Sequence, residues 1–212
     1  MSSSATDLNI LALGEFSNLG PAGLEWLTGP LQSLSAVFPI AIMHFNERNG
    51  SIIPEFASKQ CSVILKLIDY IDDQGSPEVA VSRIISGPGL TQIHAILGPV
   101  RSTVAEPISA AASALSIPVV SHWATDAALA DKKTYEYFSR TCPADPASAN
   151  VLADLFAKLG FNKAGMLYVN DDFGAGWETA LISACTARNI QLQAIAFDDS
   201  TGKQLEECKL IY

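Results

Sequence analysis

Three side chains stand where ligand chemistry would need them: Ser102, Thr125 and Asp145, all within the stretch Ala95–Asp145. Each falls where one expected element hands over to the next. Ser102 follows a strand-like run and a Gly98-Pro99 turn, Thr125 follows a second apolar run, and Asp145 precedes Pro146 and a helical pattern. Two hydroxyls and a carboxylate brought together suit a ligand that carries both an acid and an amine. A ligand carboxylate would accept hydrogen bonds from the hydroxyls and from the free N–H groups of a helix start. A ligand ammonium would pair with the aspartate, strongly where closure excludes water. The same residues have plainer uses, with Ser102 as an N-cap, Thr125 capping a turn and Asp145 as the N-cap before Pro146. Spacing leaves both readings open.

The elements that must position these residues read as alternating strands and helices. Leu8–Glu15 is a compact apolar run of the kind a buried parallel strand shows. Phe16–Pro30 is glycine-rich and reads as a long loop carrying Trp26, and its glycines do not follow the G-x-G-x-x-G order of a dinucleotide turn. From Leu31 to Asn49 apolar positions recur at helical spacing, with Pro39 inside the pattern as an expected kink. Ser62–Ile71 and Gln92–Leu97 are strands, separated by a helix from Pro77 to Ile85, where proline at the first helical position is tolerated. Helix Ser102–Ser116 and strand Pro118–His122 continue the series. The run Ala110-Ala111-Ala112 lets that helix press closely on a sheet.

After Asp145 the pattern restarts. Helix Ala147–Leu159, strand Lys163–Val169, a polar turn Asn170–Gly174, helix Trp177–Arg188 and strand Ile190–Phe197 follow, with another helix expected from Gln204. The order predicts an α/β fold with parallel sheets covered by helices on both faces. Residues 1–140 read as a first lobe and 141–212 as part of a second that stops in mid-repeat.

Composition narrows the function. Hydrophobic residues make up 49% of the chain and charged ones 17%, ample for a core. A net charge of −9 and the lack of any basic stripe argue against nucleic acid, whose phosphates need clustered Lys and Arg. The N-terminus has no basic region ahead of an apolar run, so it does not read as a signal peptide, and no window of about 18 apolar residues would span a membrane. Cys61, Cys142, Cys185 and Cys208 form no C-x-x-C pair, so they read as buried small hydrophobes or, in an oxidising compartment, as one or two disulfides. His44, His94 and His122 lack metal-ligand spacing and read as structural; neither a metal nor a cofactor is expected. Asn49-Gly50-Ser51 is a glycosylation sequon at a turn.

Enzyme signatures are missing: there is no G-x-S-x-G elbow, Walker loop or H-E-x-x-H. A hydrolase using Ser102 as nucleophile survives only as a minor alternative, since triads are geometric. Two aromatics complete the candidate set. Phe173 could stack on a bound ammonium and Trp123 could wall one side of a site, although either could simply pack.

The pieces I-P-x-x-S-x-x-A-T, L-x-D-K, Y-x-Y-F-x-R and P-x-D, in the stretch ILGPVRSTVAEPISAAASALSIPVVSHWATDAALADKKTYEYFSRTCPAD, resemble the ligand-binding region of class C G-protein-coupled receptors. The chain is similar to metabotropic glutamate and GABA receptors and to bacterial periplasmic amino-acid-binding proteins over most of residues 8–198. The resemblance implies a periplasmic-binding-protein-like type I fold whose two lobes close on a small amino-acid-like ligand. It implies that Ser102 and Thr125 hold a ligand carboxylate, that Asp145 and Phe173 meet the amino group, and that Trp123 and Ala124 lie beside them. Phe173 departs from the family's tyrosine and Trp123 replaces a small residue. The resemblance further implies an extracellular location as part of a longer, membrane-anchored receptor, with a homo- or heterodimer formed through the first lobe. The rival within binding proteins is a solute-binding protein of an amino-acid transport system.

Overall fold

The computed structural model describes residues 6–15 and 28–198, the side chains of the second segment from Val37 onward. The segment around Trp26, the helix expected from Gln204 and Cys208 lie outside the described residues. The first sheet is built from β1 (Thr6–Gly14), β2 (Val63–Asp72), β3 (Ala95–Leu97), β4 (Val119–Ser121) and β5 (Phe138–Arg140), all parallel, in the order β2-β1-β3-β4-β5. Helices α1 (Thr28–Asn46), α2 (Pro77–Ser86) and α3 (Ser102–Ala114) connect successive strands. After the first sheet come α4 (Asp145–Lys158), β6 (Lys163–Val169), α5 (Asp172–Thr186) and β7 (Gln191–Phe197), with β6 and β7 paired in parallel as a second, smaller sheet.

Each sheet has its own core. Leu11, Leu13, Ile96 and Val119 from the first sheet are buried against Ile84 of α2 and Val104, Ile108 and Ala112 of α3. The second core joins Ala149 and Ala153 of α4 to Leu181, Ala184 and Cys185 of α5 and to Ile190. Alanines at this contact let two helix backbones approach closely, as ridge-into-groove packing requires.

Most boundaries follow the expected ones within a few residues. Helix α1 runs through Pro39 without a break. The largest shift is α5, which starts at Asp172 rather than at Trp177, because Asp171 is its N-cap and accepts a hydrogen bond from the Gly174 N–H (2.7 Å). The expected polar turn is therefore a cap and first helical turn. Cys61, Cys142 and Cys185 are free thiols, exposed, half-buried and buried respectively. The Asn49 side chain accepts from the Ser51 N–H (3.0 Å) at its turn, and His94 Nδ1, just before β3, accepts from the Asn9 N–H of β1 (3.0 Å).

The strand order places β2 and β3 on opposite sides of β1, so the chain reverses its direction of travel between β1 and β3. Ligands of open α/β sheets settle beyond the carboxyl ends of the strands at such a point. Here those ends carry charge. Glu15, just past β1 and 3% exposed, accepts from Arg101 Nε (2.7 Å) and Nη2 (3.1 Å) in a two-pronged pair. Asp73, just past β2 and 1% exposed, accepts from the Gly75 N–H (2.8 Å) through Oδ1, while its Oδ2 has no hydrogen-bond partner.

Burial, opposed by the Gly75 hydrogen bond and reinforced by the charges of Glu15 and Asp72, pushes the Asp73 carboxyl up to about 6 against Arg101's counter-pull. A carboxyl raised in the folded state penalises folding once it is ionised in both states; the penalty is complete above about pH 6 and gone below the ordinary value of 3.8. Asp73→Asn keeps the acceptor for Gly75 and removes the charge. It is expected to stabilise the chain by roughly 1–3 kcal/mol near neutral pH, with the gain shrinking as pH falls from about 6 toward 4. Urea unfolding across that range checks this, and a pH-independent difference between parent and variant contradicts it.

Candidate functional site

Ser102, Thr125 and Asp145 do converge. Ser102 is the first residue of α3 rather than its N-cap, which is Arg101. Its side chain, 2% exposed, reaches away from its own helix and accepts from the Asp126 N–H (3.2 Å). The Thr125 carbonyl accepts from the Asp145 N–H (3.0 Å), tying the segment after β4 to the start of α4. Asp145 is likewise the first helical residue, Ala144 being the N-cap. The capping roles considered for Ser102 and Asp145 are thus not the ones they perform, and the turn beyond Thr125 is capped by Asp126, whose Oδ1 accepts from the Ala128 N–H (2.6 Å).

Asp145 is 1% exposed, and neither of its carboxylate oxygens has a hydrogen-bond partner; Thr125 Oγ1 is also buried and unpartnered. Burial raises the Asp145 carboxyl above its ordinary value. The neighbouring Thr125 hydroxyl favours the charged form without settling into a well-formed hydrogen bond, the Asp126 charge opposes it and Arg140 favours it. An uncompensated carboxylate at this depth is costly.

The segment that carries Thr125 is held by two residues absent from the candidate set. Ser121 Oγ accepts from the N–H groups of Trp123 (3.2 Å) and Ala124 (2.9 Å) and donates to the Pro99 carbonyl (2.7 Å). Arg140 Nη1 donates to the carbonyls of Ala124 (3.1 Å) and Asp126 (2.7 Å). Ala124 is fully buried with its backbone occupied by these bonds, whereas Trp123 and Phe173 are exposed, at 58% and 41%. The structure therefore groups Ser102, Thr125, Ala124 and Asp145 and leaves the two aromatics at the surface. His122 packs edge-on against Phe38, burial lowers its imidazole, and its Nε2 is buried without a hydrogen-bond partner.

Helix α5 closes over this cluster. At Gly176 an added Cβ would stand 2.7 Å from Asp126 Oδ2, which would have to shift, and at an ordinary contact distance of 3.5 Å from Asp145 Oδ2. Beside it opens a cavity of about 660 Å3 lined by Glu106, Asp126, Asn150, Asp172, Gly176 and Thr179 among others. None of the six expected site residues lines this cavity; their chain neighbours Asp126, Pro146 and Asp172 do. Asp126 and Glu106 were missed because an acid next to a threonine, or in the second turn of a helix, reads as an ordinary solvated residue. Among the described residues no group of three or more His, Cys, Asp or Glu could hold a metal ion, and no helix is long and apolar enough to cross a membrane.

Residues 38–207 match the model of the receptor family ligand binding region. The chain belongs to that family. Its similar relatives include metabotropic glutamate receptor-like protein E of Dictyostelium discoideum, 28% identical over 120 residues that make up 57% of this chain and 15% of that protein. Glutamate receptor 3.7 of Arabidopsis thaliana is 34% identical over 42% of this chain and 10% of its own length. Human taste receptor type 1 member 1 is 28% identical over 63% of this chain and 17% of its own. The matched stretches are thus a small part of much longer proteins. Among solved structures, an ABC transporter substrate-binding protein from Desulfitobacterium hafniense superposes with a TM-score of 0.64 at 19% identity, covering 97% of this chain and 54% of that one. The fold is that of the type I periplasmic binding proteins.

The close approach at Gly176 can be tested directly. Gly176→Ala forces the Asp126 carboxylate or the helix to move, and since alanine in a helix interior regains about 0.5–1 kcal/mol, a net loss of up to about 1 kcal/mol in denaturant unfolding is expected. Wild-type stability in this variant contradicts the packing described.

Proposed function

We propose that the chain is the ligand-sensing part of a receptor that binds a small, amino-acid-like molecule and responds by lobe closure. In this reading residues 1–140 form the first lobe and residues 141–212 belong to the second. Ser102 and Thr125 hold the ligand's carboxylate, Asp145 its ammonium, Phe173 offers a ring face when the lobes approach, and Trp123 and Ala124 form the adjoining wall. The single observation that carries the proposal is Asp145, a buried carboxylate with neither oxygen satisfied. A fold retains such a group at a cost, and an ammonium supplied by a ligand removes that cost. Ligand binding would then favour the closed arrangement by the difference in its affinity for the two states.

Membership of the receptor family ligand binding region and the receptor relatives support the receptor form of this reading. There the domain sits on the outer face of a membrane as part of a longer polypeptide, paired with a second subunit through the first lobe. The superposition on a transporter's substrate-binding protein supports a second form, a solute-binding protein that delivers its ligand to a membrane partner. The coding sequence beyond Tyr212 separates them: several apolar spans there indicate the receptor. A hydrolase is disfavoured, because among the described residues the Ser102 hydroxyl meets the Asp126 N–H and no histidine that could serve as its base.

Titration calorimetry with a panel of amino acids, on the parent, Thr125→Val and Asp145→Asn, tests the proposal. At least one amino acid is expected to bind the parent. Both variants are expected to lose tenfold or more in affinity, since each removes a charge-assisted contact of about 1.5–3 kcal/mol. Asp145→Asn should at the same time raise the melting temperature of the ligand-free chain, because it deletes an unpaired buried charge. Unchanged affinity in Asp145→Asn overturns the site assignment.

A further inference from the structure

The turn that follows α1 stands on a fixed platform. Asn46, the last residue of that helix, donates Nδ2 to the Leu65 carbonyl (2.9 Å) and accepts from the Leu65 N–H at Oδ1 (2.9 Å), which pins the helix end to β2. Beside it Phe45 meets Phe56 edge to face, with ring centroids 5.5 Å apart, and the Lys59 ammonium stands 3.7 Å from the Phe45 ring centre. These contacts hold the single helical turn Pro54–Ser58 against the end of α1. Gly50 packs closely on the same turn, where an added Cβ would stand 3.0 Å from Ala57 Cβ and 3.1 Å from the Pro54 carbonyl oxygen. The tip between them faces water: Ser51 is exposed, as are Ile52 at 68% and Ile53 at 40%.

Asn49-Gly50-Ser51 lies at this tip and is the one Asn-X-Ser/Thr sequence in the chain. The two asparagines at the helix end use their amides differently. Asn46 gives both amide atoms to β2, whereas Asn49 engages Oδ1 alone, accepting from the Ser51 N–H (3.0 Å). Among the described residues neither Asn49 Nδ2 nor the Ser51 hydroxyl makes a hydrogen bond. The turn accounts for an asparagine at 49, but it needs only a backbone N–H at 51, which any residue except proline supplies. The hydroxyl at 51 therefore has no use in the fold. A hydroxyl two residues beyond an asparagine is what an N-glycosylation acceptor requires, with any residue except proline between them. A glycan is bulky and hydrated, so it also requires a loop that faces water and an amide nitrogen on which the fold does not depend. Asn49 meets both conditions.

We infer that Asn49 carries an N-linked glycan when the chain is made in a secretory compartment. The transfer forms a bond from Asn49 Nδ2 to the anomeric carbon of a pyrophosphate-linked oligosaccharide. The carbon–oxygen bond to the pyrophosphate breaks, the bonding pair leaves with the pyrophosphate, and the amide nitrogen gives up one proton to the transferase. Oδ1 still accepts from the Ser51 N–H afterwards, so the turn survives the modification. The glycan covers the Ile52–Ile53 tip and keeps the C-terminal end of α1 out of any subunit contact. The inference rests on the extracellular placement in the reading above and is independent of the ligand.

Expression of the full chain behind a cleavable secretion signal in a eukaryotic cell tests this. The signal-cleaved parent is expected to carry one glycan, seen as a mass increase. An amidase that releases N-linked glycans should return it to the mass of the bare polypeptide and leave an aspartate at position 49. Asn49→Gln and Ser51→Ala should each abolish the mass increase, and Ser51→Thr should keep it. Ser51→Ala retains the N–H that holds the turn, so loss of the glycan with an unchanged circular dichroism spectrum separates a missing acceptor from a misfolded chain. Binding of a dye that reports exposed apolar surface is expected to rise after amidase treatment, and no rise overturns the shielding of Ile52 and Ile53. A signal-cleaved parent without a glycan, or a glycan that persists in Asn49→Gln, overturns the inference. Either result leaves the ligand-binding reading standing, because calorimetry tests that reading separately.

Discussion

A carboxylate that is buried and unpaired is the constraint around which this chain is built. Asp145 begins α4 with its N–H fixed on the Thr125 carbonyl, which ties the start of that helix to the segment after β4. Its first-turn position gives some relief, because the helix dipole favours negative charge there. That effect is worth at most about 2 kcal/mol, less than the several kcal/mol that desolvation of an ion costs. Asp126, facing the same glycine, adds a like charge and makes the balance worse. Arg140, whose Nη1 donates to the Ala124 and Asp126 carbonyls, offsets part of this cost through its charge alone.

The first sheet supplies the rigid half of that arrangement. Its order places the ends of β1 and β3 side by side, and the ion pair of Glu15 with Arg101 locks the start of α3 onto the end of β1. With α3 fixed, Ser102 is fixed, and through Ser102 the Asp126 backbone. Ser121 then threads three hydrogen bonds between the turn after β3 and the segment after β4. The loop holding Thr125 is therefore shaped by short polar links anchored in the sheet, which is how a loop becomes precise enough to orient a ligand.

Much of this was legible in the residues and some was not. Apolar runs and turn residues give nearly every strand and helix, because the core of a doubly covered parallel sheet leaves a strong periodic trace. The start of α5 was misplaced since Asp171, read as part of a turn, is a helix cap; one side-chain hydrogen bond decides the difference. Ser102, Thr125 and Asp145 could be picked out because each sits at an element boundary. Asp126, Glu106 and Gly176 could not, because their importance comes from contacts between segments some 20 to 70 residues apart in the chain, which no local pattern records. For Trp123 and Phe173, aromatic character suggested proximity to the site, but solvent exposure separates them from the buried cluster in this arrangement.

The division of the acids between the two sheets gives the cavity a mechanical consequence. Glu106 and Asp126 belong to the first sheet's connections, and Asp172 lies on a helix of the second unit, with Asp145 at the passage between them. Like charges from the two units meet here, so the packing of α5 against α3 is made against the mutual repulsion of Glu106, Asp126 and Asp172.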